Sequence, residues 1–133
     1  MTGWIVDKSV VTRLDNPGVA EQLLDADGAL YLCEVGLLEQ LYSARSARDY
    51  DRLETVLRTN FEVLDSPADV LVAAQRLQRD LAHHRGLWHR RPIPDLLIAI
   101  TALHHDVGVM HADGDFELIA KVRPLRSWKL SVD

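Results

Sequence analysis

Apolar residues along this chain alternate between short dense runs and longer stretches where they recur every three or four positions. Gly3-Trp4-Ile5-Val6, Ala29-Leu30-Tyr31-Leu32-Cys33, Phe61-Glu62-Val63-Leu64 and Val109-Met110-His111 are dense runs of strand length, the kind that suits strands buried on both faces. Trp128 to Val132 alternates as a terminal strand does. Between the runs the spacing is helical. Val10, Val11 and Leu14 precede a break at Asn16-Pro17-Gly18, and Val19 to Leu24 is closed by Asp27-Gly28. Val35, Leu38, Leu41 and Tyr42 predict one helical face, and Tyr50, Leu53, Val56 and Leu57 the next. Ser66-Pro67-Ala68-Asp69 reads as a helix start, with serine to cap and proline at the first position. Val70, Ala74, Leu77 and Leu81 then carry a buried stripe that Gly86 ends. A basic loop, Arg85 with His89, Arg90 and Arg91, leads to a helix opened by Pro94. The predicted core face of that helix is Leu97, Ile100, Thr101 and His104, extended by Leu96, Ala99 and Leu103, with Gly108 as its stop. Phe116, Leu118, Ile119 and Val122 mark a last short helix before Pro124.

Strands that alternate with helices imply an α/β fold: a mostly parallel sheet, covered on both faces, with right-handed crossovers. The 133 residues suit one domain, 1–133, large enough to bury a core without covalent staples. With 47% apolar and 26% charged residues the composition is globular rather than disordered. Cys33, the single cysteine, sits in an apolar run and has no disulfide partner. No run approaches the roughly 20 apolar residues of a membrane helix, and no signal-like segment opens the chain. The expectation is a soluble, cytoplasmic protein. Its net charge of −5 means that any nucleic acid must meet a local basic patch.

Carboxylates stand at the boundaries of the apolar elements. Asp7 follows the first strand, Asp113 and Asp115 follow the fourth, Asp95 lies in the first turn of a helix, and Glu39 interrupts the margin of an apolar one. Each alone fits a duller role: a cap, a turn residue, or a partner for a helix N-terminus. Together they are more telling, because function in parallel sheets sits outside the carboxyl ends of the strands. Asp7 and Asp113 fall on that edge, and Asp95 can be aimed at it. Several carboxylates gathered without a cation would repel, and some would stay protonated. Such a cluster makes sense mainly as a site for a hard, oxygen-ligated ion such as Mg²⁺, with Mn²⁺ as the alternative.

Ile5-Val6-Asp7-Lys8-Ser9, Leu38-Glu39-Gln40-Leu41, Ile93-Pro94-Asp95-Leu96-Leu97-Ile98-Ala99 and Asp113-Gly114-Asp115-Phe116, in this order, resemble the motifs of PIN-domain nucleases. Length and order resemble the VapC-type toxins of type II toxin–antitoxin pairs. The resemblance spans essentially the whole chain. It implies a PIN-like three-layer α/β/α sandwich with strand order 3-2-1-4-5, and a metal-dependent endoribonuclease. It makes Asp7, Glu39, Asp95 and Asp113 the catalytic quartet. Asp7, Asp95, Asp113 and, as an outer member, Asp115 become the metal ligands. Glu34 is a weaker match than Glu39 for the helical acid. His111 departs from the pattern, which usually has serine or threonine two residues before the fourth acid; it could touch substrate or brace the strand end.

The metal would polarise the phosphate and activate water, Glu39 would position or deprotonate that water, and the products would carry 5′-phosphate and 3′-hydroxyl ends. Lys8, Ser9, Arg90, Arg91 and His111 are the candidate substrate-binding residues, with transfer RNA favoured over ribosomal RNA. Trp88 could stack on a base or anchor the core. A VapB-type antitoxin is the implied partner, seated between the helices around Val35–Tyr42 and Tyr50–Leu57, with Leu37, Tyr42 and Tyr50 foremost. The helix 95–105 and the flanks of Asp113 would serve a homodimer, giving a heterotetramer or larger complex with antitoxin. Zinc at His83-His84 or His104-His105 is disfavoured, since adjacent helical residues point to different faces. Two rivals remain. A phosphoacceptor signalling domain would use an aspartate such as Asp65, but it needs a late lysine, and none occurs between Lys8 and Lys121. A catalytically inactive interaction module is the other, although all four principal acids are present.

Overall fold

A computed structural model describes residues 3–84 and 88–131. Its elements run β1 (Gly3–Val6), α1 (Lys8–Val11), α2 (Pro17–Leu24), β2 (Ala29–Cys33), α3 (Glu34–Tyr42), α4 (Ala47–Asn60), β3 (Glu62–Leu64), α5 (Val70–His83), α6 (Ile93–His104), β4 (Gly108–His111), α7 (Asp115–Ile119) and β5 (Ser127–Lys129). All four strand pairings are parallel, and the order is β3-β2-β1-β4-β5. This is the expected α/β/α sandwich with the expected strand order. Side chains alternate across the sheet. Ile5, Tyr31, Cys33 and Val109 face Leu77, Leu81, Ile98 and Phe116 on α5, α6 and α7. On the other face Val6 and Met110 meet Val10 and Val19, while Leu32 packs with Leu37, Leu41 and Leu57.

Several local expectations change. Helix α3 is turned on its axis: it buries Gly36, Leu37, Gln40 and Leu41, leaving Leu38 and Tyr42 in solvent. Helix α6 is buried nearly all round, through Asp95, Leu96, Ile98, Ala99, Ile100, Thr101 and Ala102, because it packs on the sheet, α3, α5 and α7. His104, predicted to be in the core face, is exposed. Ser66 caps nothing in α5, which starts at Val70; its N–H instead donates to Glu34 Oε1 at 2.6 Å. Gly108 is not the stop of α6. Asp106 takes that role with a left-handed φ of 54°, and the Val107 N–H returns to Ala102 O at 3.0 Å. Gly108 opens β4, where a Cβ would lie 2.6 Å from the Trp4 ring. Two strands are shorter than predicted: β3 omits Phe61, which caps α4, and β5 stops at Lys129. Arg85, Gly86 and Val132 lie outside the described residues.

Candidate metal-binding active site

The sheet's strand order reverses between β1 and β4, and their carboxyl ends build a cleft of about 300 Å³. Asp7, Lys8, Ser9, Thr12, Glu39, Pro92, Asp95, Asp113 and Asp115 line it. Asp7 is placed by the ladder itself, since its N–H donates to Met110 O at 2.9 Å. Its carboxylate caps α1 by accepting from Ser9 N at 3.1 Å and from Ser9 Oγ at 2.7 Å. The same Ser9 hydroxyl accepts the Ala112 N–H at 3.0 Å, tying the end of β4 to the start of α1. Ser9 therefore holds Asp7 and the Asp113 loop together, and its one hydroxyl proton is committed to Asp7.

Asp95 comes from the first turn of α6, where a carboxylate favours the helix N-terminus. Asp113 accepts the Asp115 N–H at 3.0 Å, an Asx turn that opens α7. Carboxylate oxygens of Asp95, Asp113 and Asp115 lie within 4.8 Å of one another. Asp7 and Asp95 are only 5% and 7% exposed. Glu39 reaches in from α3 half-buried, and its Oε1 is buried without a hydrogen-bond partner among the described residues.

Burial and crowding set the charge state. Burial, followed by the charge of Asp7, the carboxyl of Asp115 and the charge of Asp113, pushes Asp95 far above the ordinary carboxylate range. Burial also raises Asp113, against the Asp115 N–H that lowers it, with Asp7 and Asp115 adding repulsion. Glu39 rises for the same two reasons, burial and then Asp7, while nearby Lys8 opposes the shift. The only oxygen-donor cluster of this kind among the described residues is thus short of positive charge. Its hard donors, close spacing and excess of carboxylates over the neighbouring cations Lys8 and Arg91 fit a divalent cation of the Mg²⁺ or Mn²⁺ type.

The other candidates fall differently. Lys8 lines the cleft, Arg90 is exposed two positions before Pro92 of the cleft wall, and Arg91 Nη1 is bound to Asp115 Oδ1 at 2.7 Å. His111 is fully buried, packed against Phe116 with Nε2 2.6 Å from Ser127 Oγ, so it braces β4 against β5 and offers nothing to substrate. Burial also lowers its pKa. Trp88 packs against the core and His84 rather than standing free to stack. Leu37 is buried against Leu32 and cannot meet a partner, but Tyr42, 89% exposed, and Tyr50 flank a groove between α3 and α4. Asp65 is exposed, sits near His105 and does not line the cleft. Sequence reasoning missed the Arg91–Asp115 pair and Ser127 as the partner of His111. Neither carries a local signal, because each partnership joins segments that meet only in the fold.

Residues 5–122 match the PIN domain family. Ribonuclease VapC17 of Mycobacterium tuberculosis strain H37Rv is 53% identical over 127 residues, covering 93% of this chain and 92% of that one. Ribonuclease VapC21 of the same strain is 39% identical over 123 residues, covering 91% and 88%. Among solved structures, VapBC-1 from nontypeable Haemophilus influenzae shares the fold at TM-score 0.75 and 16% identity, covering 97% of this chain and 98% of that one. VapBC2 from Rickettsia felis aligns at TM-score 0.76 and 15% identity, covering 98% and 100%. The chain belongs to the PIN-domain family, among the ribonucleases of the VapC type.

Proposed function

We propose that the acidic cleft hydrolyses RNA with a divalent cation, and that the protein is the toxin of a type II toxin–antitoxin module acting in the cytoplasm as a single-domain nuclease. The observation that carries the reading is the convergence of Asp7, Glu39, Asp95, Asp113 and Asp115 on one cleft. Asp7, Asp95 and Asp113 would hold Mg²⁺ or Mn²⁺, with Asp115, one of whose oxygens Arg91 takes, as the outer member. A cation held there would polarise a scissile phosphate and lower the pKa of water. Glu39, with an unpartnered oxygen and a raised pKa, is suited to accept a proton from the attacking water. Ser9 keeps Asp7 and the Asp113 loop in register through both of its hydrogen bonds. Lys8, at the cleft wall, and Arg90 supply positive charge for the RNA backbone. Cleavage leaves 5′-phosphate and 3′-hydroxyl ends; structured RNA is the substrate class, transfer RNA first, and translation stops as a result.

A VapB-type antitoxin is the proposed partner. Support comes from the solved neighbours, which are VapBC structures, and from the exposed Tyr42 and Tyr50 beside the cleft. A second copy would dock through the face formed by α5 and the start of α6, where Leu71 and Ile93 are exposed together. Expression without antitoxin, followed by mapping of new 5′ ends across cellular RNA, tests the reading. New 5′-phosphate ends at a small set of sites are expected, absent with Asp7→Ala. Equal toxicity of wild type and Asp7→Ala would refute it, and phosphorylation of Asp65 by a small phosphodonor would favour the signalling alternative.

A further inference from the structure

Arg91 is the cation that the acidic cluster already owns. It lies four positions before Asp95, outside α6, and its Nη1 donates to Asp115 Oδ1 at 2.7 Å. Side-chain exposures of 24% and 22% place the pair mostly out of water, where an ion pair is screened less than at the open surface. Arg91 Nε is buried with no hydrogen-bond partner among the described residues. An unsatisfied buried donor is costly, and a merely decorative surface pair would leave that nitrogen in solvent. The guanidinium is therefore held by its surroundings against a carboxylate whose oxygen lies within 4.8 Å of oxygens on Asp95 and Asp113.

Resting on the cation-binding reading above, we infer that Arg91 is a resident counter-charge that restrains divalent-cation binding. It neutralises Asp115, takes one oxygen of that carboxylate from the incoming ion, and repels that ion. Two consequences follow from Coulomb's law at this range. Removing the guanidinium frees an anion and removes a repulsion, so the cation binds more tightly. Replacing it with another cation of similar reach leaves affinity nearly unchanged. Arg91 is thus a positioning residue for the metal site, and metal occupancy becomes responsive to cation concentration instead of being fixed.

The test is Mn²⁺ binding to the RNA-free protein, followed by calorimetry and by the electron paramagnetic resonance of free Mn²⁺. Arg91→Gln is expected to tighten Mn²⁺ binding about three- to tenfold, and Arg91→Lys, which keeps the positive charge, to stay within about twofold of wild type. Asp115→Asn, which removes the anion and leaves Arg91 uncompensated, is expected to weaken binding. It also carries the test if Arg91→Gln fails to fold. Equal or weaker Mn²⁺ affinity in Arg91→Gln, or unchanged affinity in Asp115→Asn, overturns the inference. Absence of Mn²⁺ binding by the wild type would instead remove the cation-binding reading on which it stands.

Discussion

Asp95 is the residue at which folding and chemistry oppose each other most directly. Its carboxyl is buried beside Asp7, Asp113 and Asp115, so its native pKa stands far above the unfolded value. A raised carboxyl stabilises the metal-free fold fully below about pH 4, the unfolded value, and that contribution is lost as pH rises through the native one. Asp95→Asn mimics the protonated form. The substitution should raise the melting temperature of the metal-free protein at pH 8 by a few degrees, on the order of 1 kcal/mol, and leave it nearly unchanged at pH 4. Thermal scans in a chelator at the two pH values read this out. On the proposed cation-binding role, the same variant should lose RNA cleavage by about 100-fold or more, since the cation it would help to hold supplies several kcal/mol of charge stabilisation. A variant that is both destabilised at pH 8 and active would contradict the assignment of Asp95.

At the scale of elements, two apparent helix signals turn out to belong to the sheet and to the surface. Gly108 lies where β4 crosses Trp4 of β1, with Trp4 ring carbons 2.6 and 2.7 Å and Arg126 O 2.8 Å from a built Cβ. Backbone and a half-buried indole cannot both retreat, so Gly108→Ala should destabilise by about 2 kcal/mol or more, as overpacking does, measurable by urea unfolding. Helix α3 shows the second case. Its apolar residues surround much of the helix, so spacing alone leaves the buried face open to a rotation of one position. Leu38 and Tyr42 point outward instead of inward, and both border the cleft region. The exposed stripe is where a partner is proposed, while Leu37 became core.

For the molecule as a whole, the crowding of acids into one cleft sets the response to cations. The net charge is −5, and five of the acids share one cleft. Millimolar Mn²⁺ should therefore raise the melting temperature of the wild type by several degrees through linkage, more at pH 8 than at pH 5 because protons compete for the same oxygens. Asp7→Ala should abolish most of that rise. A wild type indifferent to Mn²⁺ at both pH values would argue against a shared cation site.

The order of strands and helices, the parallel sheet and the identity of the clustered acids were legible along the chain. Runs and periodicities report local burial, and acids at strand ends are delivered to one edge by any sheet of this kind. Ala74, Leu77 and Leu81 of α5 were likewise read correctly, because a single clean stripe has only one way to face the core. What the tertiary structure alone decided is how partners far apart in sequence divide the work. Ser9 ties Asp7 to the β4 end, Ser127 takes the ring of His111, and Arg91 takes Asp115. Those choices depend on distances across layers, which periodicity does not encode, and they separate the acids that line the cleft from the residues that hold them in place.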